Sequence, residues 1–426
     1  MIICLRQDKI KLGQNRVFFD IIMKTYIVKE AVDIMIRINK KLYELKREDV
    51  FSNVTKKVNE FRTNNPGNKL ISLGIGDVSK PVVKPIIDAM HKAVDDLSDM
   101  ETFRGYCAYS GHDFLKDKIL QNDYKDFSFS REEIYVSAGT KTDCTSILEL
   151  FDIDAKICIT NPMYPVYKDG ATCLNRELIE LSLSSDKEFV SDIPQDKYDV
   201  IYVCSPNNPI GIAYTYDELS SFVEYALAND CVILYDNVYE TFITSPNVPR
   251  SIYEIPNAKK VAIEFRSYSK SASFSGVRCS YYVIPNDIHK DINALWMERT
   301  INRFNGTDYI AQRGAEAFYS PEAQKLIKKN TKEYMDNTQL LRKTFIDLGF
   351  EVWGGLDCPY LWVKIKDNLK SWAFFDLMLE KLNIIIIPGA IFGSYGDEYF
   401  RVSGLGYSDD TKEAVRRLKK HYEKKI

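Results

Sequence analysis

Between residues 156 and 284 the chain alternates short, almost unbroken apolar runs with longer amphipathic stretches. The runs are KICIT, ELIELSL, VIYVC, CVILY, VAIEF and CSYYVI, and an amphipathic helix is predicted over 217–228. Near-continuous Val, Ile and Leu, in place of strict alternation, predicts strands covered on both faces, as in a mostly parallel sheet with crossover helices. In such a sheet a ligand lies beyond the carboxyl edge, in the crevice formed by the loops. Four loops after the predicted strands carry polar or aromatic groups: Asn161-Pro162-Met163-Tyr164-Pro165, Ser205-Pro206-Asn207-Asn208-Pro209, Asp236 with Tyr239, and the segment holding Lys270.

Upstream, residues 36–64 are charged and helical in tendency until Asn65-Pro66-Gly67-Asn68 breaks them. A strand is predicted over 70–76, helices over 82–97 and 112–122, a glycine-bounded loop over 105–111, a strand over 133–136 and a helix over 141–151. Downstream, helical stretches cover 289–313, interrupted at 304–306, and 321–348. Strands follow over 350–353, 360–365, 383–387 and 400–403, with helices over 372–382 and 411–425. The pattern predicts an α/β protein: a large, mostly parallel-sheet domain over 69–299 and a smaller α+β domain built from 36–68 and 300–426. Residues 1–35 are an extension that reads either as an amphipathic segment or, the favoured reading, as sequence upstream of a start at Met23 or Met35.

Composition narrows the function classes. A net charge of −3 and a pI near 6.0, with both signs interspersed, argue against a nucleic-acid partner. The nine cysteines form no CxxC pair and sit mostly in apolar runs, which predicts core thiols in a reducing cytoplasm. Four scattered histidines predict no histidine-rich metal site. No apolar run approaches the roughly 20 residues that span a bilayer.

The candidate chemistry centres on VAIEFRSYSKSASFSGVR, residues 261–278. Lys270 stands among small hydroxyl residues at the end of a predicted buried strand, where an ammonium is costly unless it deprotonates or finds a partner. A desolvated lysine is a nucleophile toward carbonyls, which points to a Schiff base with an aldehyde cofactor. Ser267, Ser269 and Arg278 would then serve that cofactor's phosphate. The same stretch also reads as a basic loop after a strand. Ser137-Ala138-Gly139-Thr140, between a strand and a helix, is a second phosphate-binding candidate that also reads as an ordinary junction. A cofactor that stabilises a carbanion needs an acid beneath its ring nitrogen, groups at the ring oxygen, an aromatic to stack and a phosphate cup. Asp236, Tyr239 with Asn208, Tyr164, and Thr140 with Ser267 and Arg278 meet those needs in turn.

These residues resemble the fold-type-I aminotransferases, which use pyridoxal 5'-phosphate, through SPNNP, YDNVY, SYSKSASFSGVR and FRVSGLG in order. LGIGD, ETFRGY, NPMYPVY, RFNG and PYLWV further resemble the LL-diaminopimelate aminotransferase subgroup. The resemblance implies a cofactor held by Lys270, Asp236, Tyr239, Asn208, Tyr164, Thr140, Lys141, Ser267 and Arg278. It implies that Tyr106 reaches the phosphate of a neighbouring subunit in a homodimer. It implies substrate contacts from Arg401, which would clamp the α-carboxylate, from Asn208 and Gly76, and from Lys141 and Asn305 at the distal end. One departure stands out: the subgroup's GYGPEQG or GYGAEQG loop reads GYCAYSG here, with Tyr109 where a glutamate recognises the distal amino group. The expected activity is amino transfer between an L-amino acid and a 2-oxo acid. A lyase, cyclase or oxidase sharing the cofactor residues, and a non-catalytic binding protein, are the alternatives.

Overall fold

Strand position in this chain follows from which runs are buried on both faces, whereas strand direction does not. The computed structural model describes residues 39–45, 50–74, 76–183, 185–366 and 368–423, so the expectation for 1–35 lies outside the described residues. The chain divides after Glu44 into two units, and of the first the described residues include only part of a short helix, Lys41–Leu45. Among its described residues the second unit carries thirteen strands: β1 Ile71–Ser72, β2 Ile134–Ser137, β3 Ile157–Asn161, β4 Leu178–Ser182, β5 Val200–Cys204, β6 Val232–Asp236 and β7 Ala262–Ser267, then β8 Ser280–Val283, β9 Val352–Gly354, β10 Tyr360–Lys364, β11 Ile384–Ile385, β12 Ile387–Pro388 and β13 Tyr399–Ser403.

Seven of these form one sheet in the order β2-β8-β7-β6-β5-β3-β4. From β7 to β4 every pairing is parallel, whereas β8 runs antiparallel to both β7 and β2. The apolar run predicts β8 but not its direction, because burial on two faces leaves the same composition either way. Helices on both faces complete the layers. Tyr216–Asn229 starts at a capping box between Thr215 and Glu218, stops at left-handed Asp230, and buries Leu219, Phe222, Val223 and Ala226. The register sets Cys204 beside Asp236, Asp236 beside Phe265 and Ser267 beside Ser280, so the ends of β5, β6 and β7 release their loops on one edge.

The remaining strands form the order β12-β13-β10-β9 and the parallel pair β1-β11. The expected strand over 70–76 contracts to two residues, and that over 383–387 splits. A Cβ on Gly74 would meet the Ile386 backbone at 2.9 Å, so the chains meet too closely there for the ladder to continue, and Ile387 turns to pair with Arg401 on β13. One core gathers Val54, Ile71 and Leu73 with Phe345, Trp362, Phe374, Phe400 and Leu418. Residues on either side of the large sheet in sequence are thereby tied together, each fully buried aromatic contributing roughly 1.5–3 kcal/mol. Helix Tyr309–Phe318 packs instead on the core beneath the large sheet, through Ala311 and Ala315.

Candidate active site

At the carboxyl edge of β5, β6 and β7 lies a cleft of about 660 Å³. β7 ends at Ser267, whose hydroxyl accepts from the Ser269 N–H at 3.1 Å and so starts the single turn Tyr268–Ser271 that carries Lys270. Lys270 Nζ donates to the Gly76 carbonyl at 2.5 Å and lies 3.6 Å from Asp77 Oδ1. Burial lowers its pKa; Asp77 opposes that shift, while Arg401 and Arg278 add to it. An amine made easier to deprotonate, inside a cleft, is the state a carbonyl chemistry requires.

Asp236 ends β6 fully inside the protein. Burial pushes its acid up to about 6, against the Tyr167 hydroxyl and the Val238 N–H, which hold it down. Tyr167 donates to Oδ2, while Oδ1 has no hydrogen-bond partner. Tyr239 is buried three residues on, its hydroxyl 3.0 Å from that of Tyr360.

Arg401 on β13 reaches into the same cleft. It is 3 % exposed, yet its contacts are neutral: Nη1 donates to Asn208 Oδ1 at 2.6 Å, Nη2 to the Gly74 carbonyl at 3.2 Å, and Nε has no partner. A guanidinium held inside with neutral partners is a strong site for a carboxylate, which matches its fork. At the opposite end, Arg278 has a left-handed backbone with φ 68° and its guanidinium lies over Gly139, where a Cβ would come within 1.8 Å of Nη2. Thr140, Lys141 and Ser267 complete that wall. Tyr164 and Gly76 also line the cleft.

Tyr106, Tyr109 and Asn305 stand elsewhere. Tyr106 is 90 % and Tyr109 41 % exposed, and neither lines the cleft of its own chain. Asn305 is also exposed, on a loop pressed against theirs: a Cβ on Gly306 would lie 2.7 Å from the Ala108 carbonyl. Buried Gln312 ties the two loops, accepting from the His112 N–H at 2.9 Å and donating to the Thr307 carbonyl at 2.8 Å.

Sequence reasoning missed Tyr167, Cys144 and Tyr360, all of which line the cleft. Tyr167 carried a signal in its three-residue spacing from Tyr164. Cys144 and Tyr360 lie in segments that read as ordinary core. Among the described residues there is no cluster of potential metal ligands, and no helix long and apolar enough to cross a membrane.

The unpaired Asp236 oxygen, the Arg278 guanidinium held over Gly139 and the largely desolvated lysine fit a ring with a basic nitrogen at one end, a phosphate at the other and an aldehyde between. Comparison with known families gives this arrangement its class: the model for aminotransferases of class I and II matches residues 68–418, and the chain belongs to that family of pyridoxal-phosphate enzymes. Within it, the chain is similar to the LL-diaminopimelate aminotransferase of Parabacteroides distasonis, 41 % identical over 91 % of this chain and 99 % of that one. It is also 39 % identical to that of Methanosphaera stadtmanae, over 90 % and 99 %. Among solved structures it is similar to the L,L-diaminopimelate aminotransferase of Chlamydomonas reinhardtii, with a TM-score of 0.86 and 34 % identity over 92 % of this chain and all of that one. The protein is an aminotransferase of the LL-diaminopimelate aminotransferase-like type.

Proposed function

We propose that this enzyme moves the amino group of an L-amino acid to a 2-oxo acid, with a substrate preference shifted away from LL-diaminopimelate. Lys270 would hold the cofactor through its ε-amine and would carry the proton to and from the substrate α-carbon. Asp236 would hold the cofactor's ring nitrogen through Oδ1, Tyr239 and Asn208 would serve its ring oxygen, and Tyr164 would cover its ring. Thr140, Lys141, Ser267 and Arg278 take the phosphate. When bound, pyridoxal phosphate supplies the electron sink. Arg401, with Asn208, grips the α-carboxylate. The observation that carries this reading is the pairing in one cleft of a desolvated lysine with a buried arginine whose partners are all neutral.

The exposed loop bearing Tyr106 and Tyr109 supports a homodimer in which each chain lends these groups, with Asn305, to its partner's cleft. The described cysteines are all free, which suits a cytoplasmic enzyme. Tyr109 offers a distal ammonium a neutral hydroxyl in place of a carboxylate, and a site that loses such a polar contact can lose about 10⁴-fold in discrimination. A panel including LL-diaminopimelate, lysine, ornithine, arginine, glutamate and aromatic amino acids, scored by single-turnover loss of the visible absorbance, tests this. LL-diaminopimelate is expected to react poorly and to improve in Tyr109→Glu; efficient turnover by the unaltered enzyme would refute the shifted preference. Recovery of the band on adding 2-oxoglutarate separates transfer from a lyase, which need never lose it.

A further inference from the structure

The two oxygens of Asp236 are treated differently by the protein. Oδ2 receives the Tyr167 hydroxyl, with the Cys144 thiol 3.9 Å away, while Oδ1 is buried without a partner. Tyr167 is itself held: its ring stacks on Tyr202 with centroids 4.8 Å apart, and Tyr164 meets it edge-on at 5.9 Å. Tyr202 also donates its hydroxyl to the Cys144 carbonyl at 2.5 Å. The helix Val166–Cys173, the helix Thr140–Ser146 and β5 therefore brace one another around a single carboxylate.

We propose that Tyr167, braced by Tyr202 and assisted by Cys144, is the positioning residue of the cofactor site: it occupies Oδ2 so that Oδ1 alone faces the ring nitrogen, and it keeps the carboxylate charged. This rests on the reading of Asp236 as the partner of that nitrogen. The charged state needs help, because the side chains around Asp236 are Tyr164, Tyr167, Tyr202, Cys144 and Cys204, none of them cationic. With burial raising its acid, removal of the hydroxyl pushes the carboxyl further toward its neutral form. A neutral Asp236 cannot hold the ring nitrogen protonated. Without that positive charge nearby, the Lys270 nitrogen keeps its own proton to higher pH.

The test is a pH titration of visible absorbance in the full-length, cofactor-loaded protein through the neutral range. Tyr167→Phe is expected to raise the midpoint by about one pH unit, to release pyridoxal phosphate more readily, and to lower kcat with little change in KM. Tyr167→His retains an N–H donor and is expected to recover part of the shift. Asp236→Asn marks the limit. Tyr202→Leu, which removes the stacked ring and the hydroxyl bonded to the Cys144 carbonyl but leaves the Tyr167 hydroxyl, is expected to move the midpoint the same way by less, and serves as the measurement if Tyr167→Phe does not fold. A coloured Tyr167→Phe with the wild-type midpoint would overturn the inference while leaving the cofactor site intact. A wild-type protein that gains no visible absorbance would overturn the reading of the site itself.

Discussion

The guanidinium carbon of Arg401 stands 4.4 Å from the ring centre of Tyr360, and the Tyr360 hydroxyl reaches both Tyr239, at 3.0 Å, and the Gly76 carbonyl, at 3.4 Å. One side chain thus supports the arginine by its face and touches the neighbours of Lys270 by its tip. The two parts are separable by mutation. Tyr360→Phe keeps the face, and KM for the amino acid is expected to stay within about threefold, whereas Tyr360→Leu loses a cation–π contact of about 1–2 kcal/mol and should raise KM about 5- to 30-fold. Arg401→Lys keeps the charge but forfeits both fork and stacking, with kcat/KM expected to fall at least about 100-fold. Steady-state kinetics on one good substrate measures all three; a Tyr360→Leu enzyme with unchanged KM would show that the ring does not steady the arginine.

Gly139 is required for two reasons at once. Its φ of 142° lies where side chains are strained, and the position of its missing Cβ is filled by the Arg278 guanidinium. Gly139→Ala therefore has to displace Arg278 from the wall assigned to the phosphate, and the dissociation constant for pyridoxal phosphate is expected to rise at least about tenfold. Titration of the visible band against added cofactor gives the value. Near-native affinity would place the phosphate elsewhere.

How far this was legible in the sequence depends on what each residue answers to. β5, β6 and β7 were readable because burial on two faces demands unbroken apolar runs, and Asp236, Asn208 and Lys270 were readable because ligands collect beyond the ends of such strands. The strands over 70–76 and 383–387 were expected, but their contraction to β1 and β11 was not, because the length of that ladder is decided by how closely Gly74 and Ile386 approach, which no local pattern records. Tyr360 and Tyr167 stood inside motifs read from the sequence yet were not assigned to the site, because each buries an aromatic ring as any core residue would, and only the tertiary position of the hydroxyl makes it part of the cleft. Residues 46–49 lie outside the described residues, so the start of the predicted helix over 36–64 is seen only in part.

Lys116 lies beneath the loop that carries Tyr109, 4 % exposed, with Nζ donating to Ser110 Oγ at 2.6 Å and to the Arg131 carbonyl at 3.1 Å. Burial lowers its pKa to about 8, chiefly against Asp113 and Glu132. The unfolded chain, with an ordinary lysine pKa near ~10.4, then binds more protons than the folded one between those values, so stability rises with pH across that window. Below about 8 the charged amine is a full cost to the fold; above ~10.4 that cost is gone. Compared with Lys116→Met, wild type is expected to gain roughly 3 kcal/mol of relative stability between neutral pH and pH ~10. Urea unfolding of both proteins at the two ends of the window measures it, and a constant difference would mean that Lys116 titrates normally.

Tyr106 is the residue whose placement makes the strongest demand on quaternary structure. Nine-tenths exposed and absent from its own cleft, it has nothing to contact there that would justify an aromatic side chain at the second position of GYCAYSG. If each cleft is completed by the partner's Tyr106, a site needs Lys270 from one chain and Tyr106 from the other. Lys270→Ala and Tyr106→Ala homodimers are then each inactive or severely impaired. Unfolding and refolding the two together produces hybrids in which one cleft carries both defects and the other carries neither. With random pairing half the dimers are hybrid, and activity is expected to return to about one quarter of the wild-type level. Sites contained within one chain would give only the sum of the two parents. The outcome thus decides between a shared and a private site without needing the identity of the natural substrate.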